Sequence, residues 1–166
     1  MSVLADAPVQ LKPSARDLIS EASLTTAVHL VQRCNPGLHD DMASRIVDEA
    51  LKFMAAAATN RTPGLALRPS RIVDEGWHAL LWDTKTYEGL CAFLGRFVHH
   101  VPESPATKKH DTATVERTLE AIRAAGYQPD SYLWSPEAQG SVLVSADCMH
   151  SECTDGGSNC TGPGIA

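Results

Sequence analysis

The stretch that organises the chain is Val73-Asp74-Glu75-Gly76-Trp77-His78, and it is followed by Tyr87, Cys91, Gly95 and the pair His99-His100. Three of the seven histidines in the chain lie in this part of the sequence. The residues around it have the spacing of amphipathic helices. This histidine-rich centre and the helices on either side of it therefore carry the prediction of fold and function.

The central stretch is predicted to form a helix that begins after Ser70, because a serine hydroxyl can accept a hydrogen bond from the exposed N–H groups of a first turn. Gly76 lowers the stability of a helix by about 1 kcal/mol relative to alanine, which indicates that another element packs closely against it. The predicted apolar stripe of this helix is Val73, Trp77, Leu80 and Thr84.

A second short helix is predicted after the turn and cap at Asp83-Thr84, with Gly95 at its end. The segment 97–102 then leaves in an extended form, because Pro102 disfavours helix in the residue before it. The apolar stripe of this helix is Tyr87, Leu90, Cys91 and Leu94.

Three further helices are predicted from the i, i+3, i+4, i+7 spacing of apolar residues. The first starts near Ser23 and ends at Asn35-Pro36-Gly37, with Cys34 on its buried stripe. The second begins at Asp40-Asp41, which we expect to act as its cap. The last runs from Asp111 or Thr112 to Gly126.

The predicted fold is all-α, a compact bundle of about five helices with the Trp77-His78 helix in the middle. Residues 1–13 are expected to form a flexible arm, residues 14–136 the helical domain, and residues 137–166 a disordered tail that contains cysteine and glycine. Tyr132-Leu133-Trp134 is expected to fold back onto the bundle, and Val142-Leu143-Val144 is a candidate short strand.

The composition excludes several classes of protein. A formal charge of −6 without a cluster of lysine and arginine disfavours nucleic-acid binding. No apolar run reaches the roughly 20 residues that span a bilayer, and the amino terminus does not resemble a secretion signal. Five cysteines, an odd number, disfavour a secreted disulfide scaffold. We expect a cytoplasmic protein whose partner is an unknown small molecule or protein, not a membrane or a nucleic acid.

Asp74 and His78 are the first candidates for a metal site, because residues four apart on a helix lie on one face. In an extended segment successive side chains point to opposite sides, so one of His99 and His100 can turn toward His78. Together with Asp74 this forms a two-histidine, one-carboxylate set, which suits Fe(II) or Zn(II). The alternative is a buried polar cluster in which His78 and a His99 or His100 ring join the two helices to the following extended segment by hydrogen bonds.

Weaker candidates lie nearby and in the tail. Tyr87 and Cys91 share one helix face, so Cys91 could point at the histidine cluster and serve as a soft ligand, although its apolar stripe favours packing. The tail set could hold zinc, although its spacing is not that of a zinc knuckle, and the alternative is exposed, oxidisable thiols. The residues of this tail set are Cys148, His150, Cys153 and Cys160.

The motif resembles the glycine-rich domain-containing protein-like family, a former domain of unknown function. The residues that carry the resemblance are Val73-Asp74, Trp77-His78, Tyr87, Cys91, Gly95 and His99-His100-x-Pro102. The resemblance covers roughly residues 69–105 and implies a small helical domain, with no settled activity. Bacterial relatives tend to end in a Cys/Gly-rich tail, of which Gly156-Gly157 is the remnant.

Two functions follow from this sequence. The first is a cytoplasmic metal-binding protein, with a metal-dependent enzyme of unknown substrate left open. The alternative is a non-catalytic protein-interaction domain with a structural histidine cluster and a cysteine-containing recognition tail. A thiol-redox role for the tail cysteines is a third alternative.

Overall fold

The computed structural model describes residues 10–60, 67–102, 112–144 and 150–151. Five α-helices of more than ten residues form the bundle in these ranges, and a sixth helix is shorter. The helices are α1 (Glu21–Cys34), α2 (Asp40–Thr59), α3 (Arg71–Trp82), α4 (Thr84–Leu94), α5 (Thr112–Ala124) and α6 (Pro136–Ser141). The predicted all-α bundle is confirmed.

Short 3-10 turns at Arg16–Leu18 and Ser131–Trp134 complete the bundle. Two strands of two residues each, β1 (Val101–Pro102) and β2 (His150–Ser151), pair antiparallel. Val142, which was a candidate for a strand, instead caps α6. The aromatic segment folds back as predicted, with Leu133 and Trp134 buried.

Helix α2 is the centre of the bundle, where we had predicted α3. It contacts α1, α3, α4 and α5, and nearly every residue from Ala43 to Ala58 is buried. The prediction was wrong because a single stripe was read from a helix that is covered on all sides. The alanine run Ala55 to Ala58 allows this, since small side chains let neighbouring helices approach from several directions.

Most of the residues predicted to cap or end the helices do so in the structure. The Ser70 hydroxyl accepts from the N–H of Val73, and the Asp83 carboxylate accepts from the N–H of Thr86. Gly95 ends α4 in the left-handed conformation, with φ of 77°, where glycine has no steric penalty. The exception is α2, whose N-cap position is His39, while Asp40 and Asp41 lie in its first turn.

Helix α3 packs closely against α2 at Gly76, as the sequence predicted. A Cβ atom on Gly76 would lie 2.6 Å from the carbonyl oxygen of Ile46 and 2.8 Å from Cβ of Ala50. Both distances are shorter than van der Waals contact. The absence of a side chain therefore sets how closely the two helices pack.

A buried ionic cluster ties the remaining segments to α2. The Lys52 ammonium lies 3.2 Å from Asp48 and 3.1 Å from Glu49, and it donates to the carbonyl of Gln128. The other oxygen of Glu49 accepts from the indole N–H of Trp134 at 2.7 Å. Burial of these charges is tolerated because each group has several polar partners.

The same cluster fixes the segment that precedes α1. The carboxylate of Asp48 accepts from the Ser14 hydroxyl at 2.7 Å and from the Ala15 N–H at 2.8 Å. The segments that precede α1 and follow α5 are thus anchored to the same part of α2. In the described part of the chain, no helix is both long enough and apolar enough to cross a membrane.

Gly76→Ala should lower the free energy of unfolding by about 1–3 kcal/mol, because the new methyl group overlaps the backbone of α2. Urea denaturation would measure the change. Gly89→Ala is the matched control, since Gly89 lies in α4 with open space around it. That variant should gain up to about 1 kcal/mol from helix propensity. Equal effects at the two positions would refute close α2–α3 packing.

Lys52→Met should destabilise the protein by about 3–5 kcal/mol, because it removes the buried cation that pairs with both Asp48 and Glu49. Lys12→Met is the control, since the Lys12–Asp17 pair is exposed at 3.7 Å and should change stability by less than about 1 kcal/mol. Thermal or urea unfolding measures both. A small effect at Lys52 would mean that the buried cluster contributes little.

Candidate metal site

Asp74 and His78 lie one turn apart on α3, and the fold buries the carboxylate almost completely. The Asp74 side chain is 2% exposed, and its Oδ2 lies 3.6 Å from Nε2 of His78. The Asp74 side chain lies on the side of α3 that is turned into the bundle. The pair predicted from the i, i+4 spacing therefore lies at the edge of the core.

His100 completes the group from outside α3. Its Nε2 lies 3.2 Å from Oδ1 of Asp74, and the ring centroids of His78 and His100 are 4.8 Å apart. The His100 side chain is 13% exposed and that of His78 is 22% exposed, so solvent still reaches the group. One carboxylate thus faces two imidazole rings, one on each of its oxygens.

The position of His100 depends on a buried aromatic network that the sequence did not reveal. The indole N–H of Trp77 donates to the Tyr87 hydroxyl at 3.0 Å, and that hydroxyl donates to the carbonyl of Val98. The Trp77 ring also meets the His100 ring edge-on, with centroids 4.5 Å apart. These contacts hold the segment after α4 against α3 and direct His100 inward.

The geometry fits a metal ion with a small adjustment. Ligand atoms of Asp74, His78 and His100 all lie within 4.8 Å of one another. Zinc binds nitrogen and oxygen at about 2.0–2.2 Å, which places neighbouring ligand atoms about 3.0–3.5 Å apart. The two carboxylate–imidazole distances are already in or near this range. Because the three ligand atoms lie within 4.8 Å of one another, closing the group by about 1 Å would complete a three-ligand site with open positions.

The remaining predicted residues lie outside this group. The His99 ring contacts Phe97, with centroids 4.8 Å apart. Tyr87 and Cys91 are buried in the core. Tyr87 supports the position of His100 through its hydrogen bonds with Trp77 and Val98. For the tail set, Cys148, Cys153 and Cys160 lie outside the described residues, and only the backbone of His150 is described, in β2.

A small cleft opens between α1 and α3 on the other side of His78. It is lined in part by Cys34, Glu75, His78 and Ala79, and its volume open to water is about 20 Å³. Cys34 is exposed, so the prediction that it packs in the core was wrong. The reason is its place at the very end of α1, where the buried Asn35 takes the capping position instead.

The fold and the site define a helical-bundle protein with a candidate aspartate/histidine metal site. A family model described as UCP032817-like matches residues 16–124, which is more than half of the chain. The chain therefore belongs to the UCP032817-like family, and the match contains α1 to α5 and all three residues of the site. No curated protein and no solved structure matches the chain. The family description names no activity.

The two described thiols should react differently. Burial raises the pKa of the Cys91 thiol, and contacts with the Val98 backbone and the Tyr87 hydroxyl offset part of the rise. The folded protein then keeps this proton at a pH where the unfolded chain loses it. The stability that Cys91 contributes is therefore present below the ordinary thiol pKa and declines as the pH rises above it.

Iodoacetamide treatment of the native protein, followed by peptide mapping, should show modification of Cys34 and protection of Cys91. Burial keeps the Cys91 thiol protonated to a higher pH, so a moderate rise in pH should accelerate its reaction little. Unfolding in urea should abolish the difference. Rapid native labelling of Cys91 would contradict its burial.

Proposed function

We propose that this protein binds a divalent metal ion through Asp74, His78 and His100. The two imidazole nitrogens and the carboxylate oxygens are ligand types that both zinc and Fe(II) accept. Three protein ligands leave coordination positions for water or a substrate. A more specific form of the proposal is a metal-dependent enzyme of unknown substrate. The identity of the metal, iron or zinc, is also part of this more specific proposal.

The observation that carries the proposal is the burial of the Asp74 carboxylate between two imidazole rings. Removal of a carboxylate from water costs several kcal/mol unless a cation or several donors compensate. A neutral imidazole provides at most one N–H donor. A metal ion shared by the carboxylate and both rings compensates the charge, and it would also draw the rings together.

The alternative is a non-catalytic interaction domain in which Asp74 and the two histidines form a structural cluster. The 3.2 Å contact between Asp74 and His100 supports it, because a hydrogen bond alone can join α3 to the following segment. Exposed aromatic side chains are a second supporting observation, with Trp82 64% and Phe93 72% exposed. Metal content separates the two functions.

Two further parts of the sequence prediction stay proposals. We place the protein in the cytoplasm on its composition and cysteine usage. The likeness to the glycine-rich domain-containing protein-like family depends on the motif around Trp77-His78, and it carries no activity with it.

His78→Ala and His100→Ala should each lower zinc affinity by more than about 100-fold, since even residues that only support a ligand contribute about 10–100-fold. Plasma mass spectrometry gives the metal content after purification, and competition with a chromophoric chelator gives the affinity. Wild-type protein should bind a single equivalent.

His99→Ala is the matched control, because His99 is the neighbour of His100 and faces Phe97. It should retain wild-type metal content and affinity. Unchanged metal binding in His78→Ala would reject the site. Equal losses in all three variants would indicate nonspecific binding to surface histidines.

A further inference from the structure

The antiparallel pairing of β1 with β2 brings the carboxyl-terminal segment, residues 150–166, beside the part of the chain that carries His100. Val101 pairs with Ser151, and Pro102 pairs with His150. Val101 directly follows His100 in the sequence. The carboxyl-terminal segment is therefore joined to the chain that supplies a residue to the candidate metal site.

The direction of the pairing determines which residues come next to the histidines. In an antiparallel pair one strand advances as the other goes back, so β2 ends at Ser151 on the side of β1 where His100 lies. Glu152 directly follows β2, and consecutive Cα atoms are about 3.8 Å apart. Continuation of the same register by one residue pairs Glu152 with His100.

The His100 face of this extended segment is the one that meets the candidate metal site. Successive side chains of an extended chain point to opposite sides. The His100 ring contacts Asp74 and His78, whereas His99 contacts Phe97. Directly opposed side chains lie on the same face, with Cβ atoms about 4.5–5.5 Å apart. A carboxylate opposite His100 is therefore within reach of an ion at this site.

Charge and coordination both favour a second carboxylate at the site. The Asp74 carboxylate cancels only half the charge of a divalent ion, and neutral imidazoles cancel none of it. A carboxylate oxygen is an ordinary ligand of both zinc and Fe(II). Solvent still reaches the rings of His78 and His100, so a further ligand has access to an ion between them.

We propose that the carboxyl-terminal segment binds across the candidate metal site and that Glu152 donates its carboxylate as a fourth ligand. The binding of the segment stands on the β1–β2 pairing, whereas the ligand role rests on the proposed metal function. In this arrangement Glu152 takes a coordination position that is otherwise open to water or a substrate. The segment thus limits access to the ion.

An engineered disulfide tests the binding of the segment without any metal. In full-length protein with the three tail cysteines replaced by serine, Val101→Cys together with Ser151→Cys should form a disulfide in oxidised glutathione, because Cα atoms of paired residues lie within the span of a disulfide. Val101→Cys with Ser158→Cys is the matched control and should stay reduced. Peptide mapping without reductant identifies the bond.

Zinc affinity of full-length variants, measured by competition with a chromophoric chelator, tests Glu152 as a ligand. Glu152→Gln should bind zinc at least about 10-fold more weakly than wild type, since even residues that only support a ligand contribute about 10–100-fold. Asp155→Asn removes another carboxylate from the same segment, and Cys153→Ser removes the neighbouring thiol. Both controls should bind zinc as wild type does.

Equal disulfide formation with Ser151→Cys and Ser158→Cys, or none with Ser151→Cys, would overturn the binding of the segment and with it the ligand role. A disulfide specific to position 151, with unchanged zinc affinity in Glu152→Gln or an equal loss in Asp155→Asn, would overturn Glu152 as the ligand. If wild type binds no zinc, the metal function and the ligand role fail together, and the disulfide still decides whether the segment binds.

Discussion

The structure depends on one electrostatic constraint, which is the compensation of the buried Asp74 carboxylate. α3 carries this carboxylate into the edge of the core, where solvent cannot stabilise it. The groups within reach of its two oxygens include His78 and His100. These rings, alone or together with a metal ion, are among the groups that make the buried charge tolerable.

Several packing contacts determine the position of Asp74 and of the two histidines. The missing side chain of Gly76 lets α3 approach α2, which determines how deeply Asp74 is buried. Trp77 donates to the Tyr87 hydroxyl, which donates to the Val98 carbonyl, so that the chain leaving α4 returns across α3 and brings His100 to Asp74. On the opposite side, Asn35 of the α1 cap holds Glu75. The candidate metal site is therefore made by α3 and by the segment that follows α4.

The sequence predicted the parts that depend on local spacing. The pair Asp74 and His78 follows from helical periodicity, and the left-handed stop at Gly95 follows from the steric freedom of glycine. The sequence also indicated that one of His99 and His100 turns inward. It did not decide which one. Alternation along an extended segment shows that the two side chains point to opposite sides, but not which of them points into the bundle.

The parts that depend on tertiary packing were beyond the sequence. Helix α2 is covered on all sides, and no single stripe could reveal that. Cys34 fits an apolar period yet lies at the exposed end of α1. The contact between Asn35 and Glu75 needs the packing of α1 on α3.

The measurement that tests the central claim most directly compares the unfolding free energy of wild type and Asp74→Asn, each with zinc and with a chelator. If zinc compensates the Asp74 charge, zinc at 100 times the dissociation constant should stabilise wild type by about 2.7 kcal/mol. Asp74→Asn should gain far less from zinc, and with the chelator it should be about as stable as wild type or more stable. Equal stabilisation of both proteins by zinc, or none of wild type, would contradict the claim.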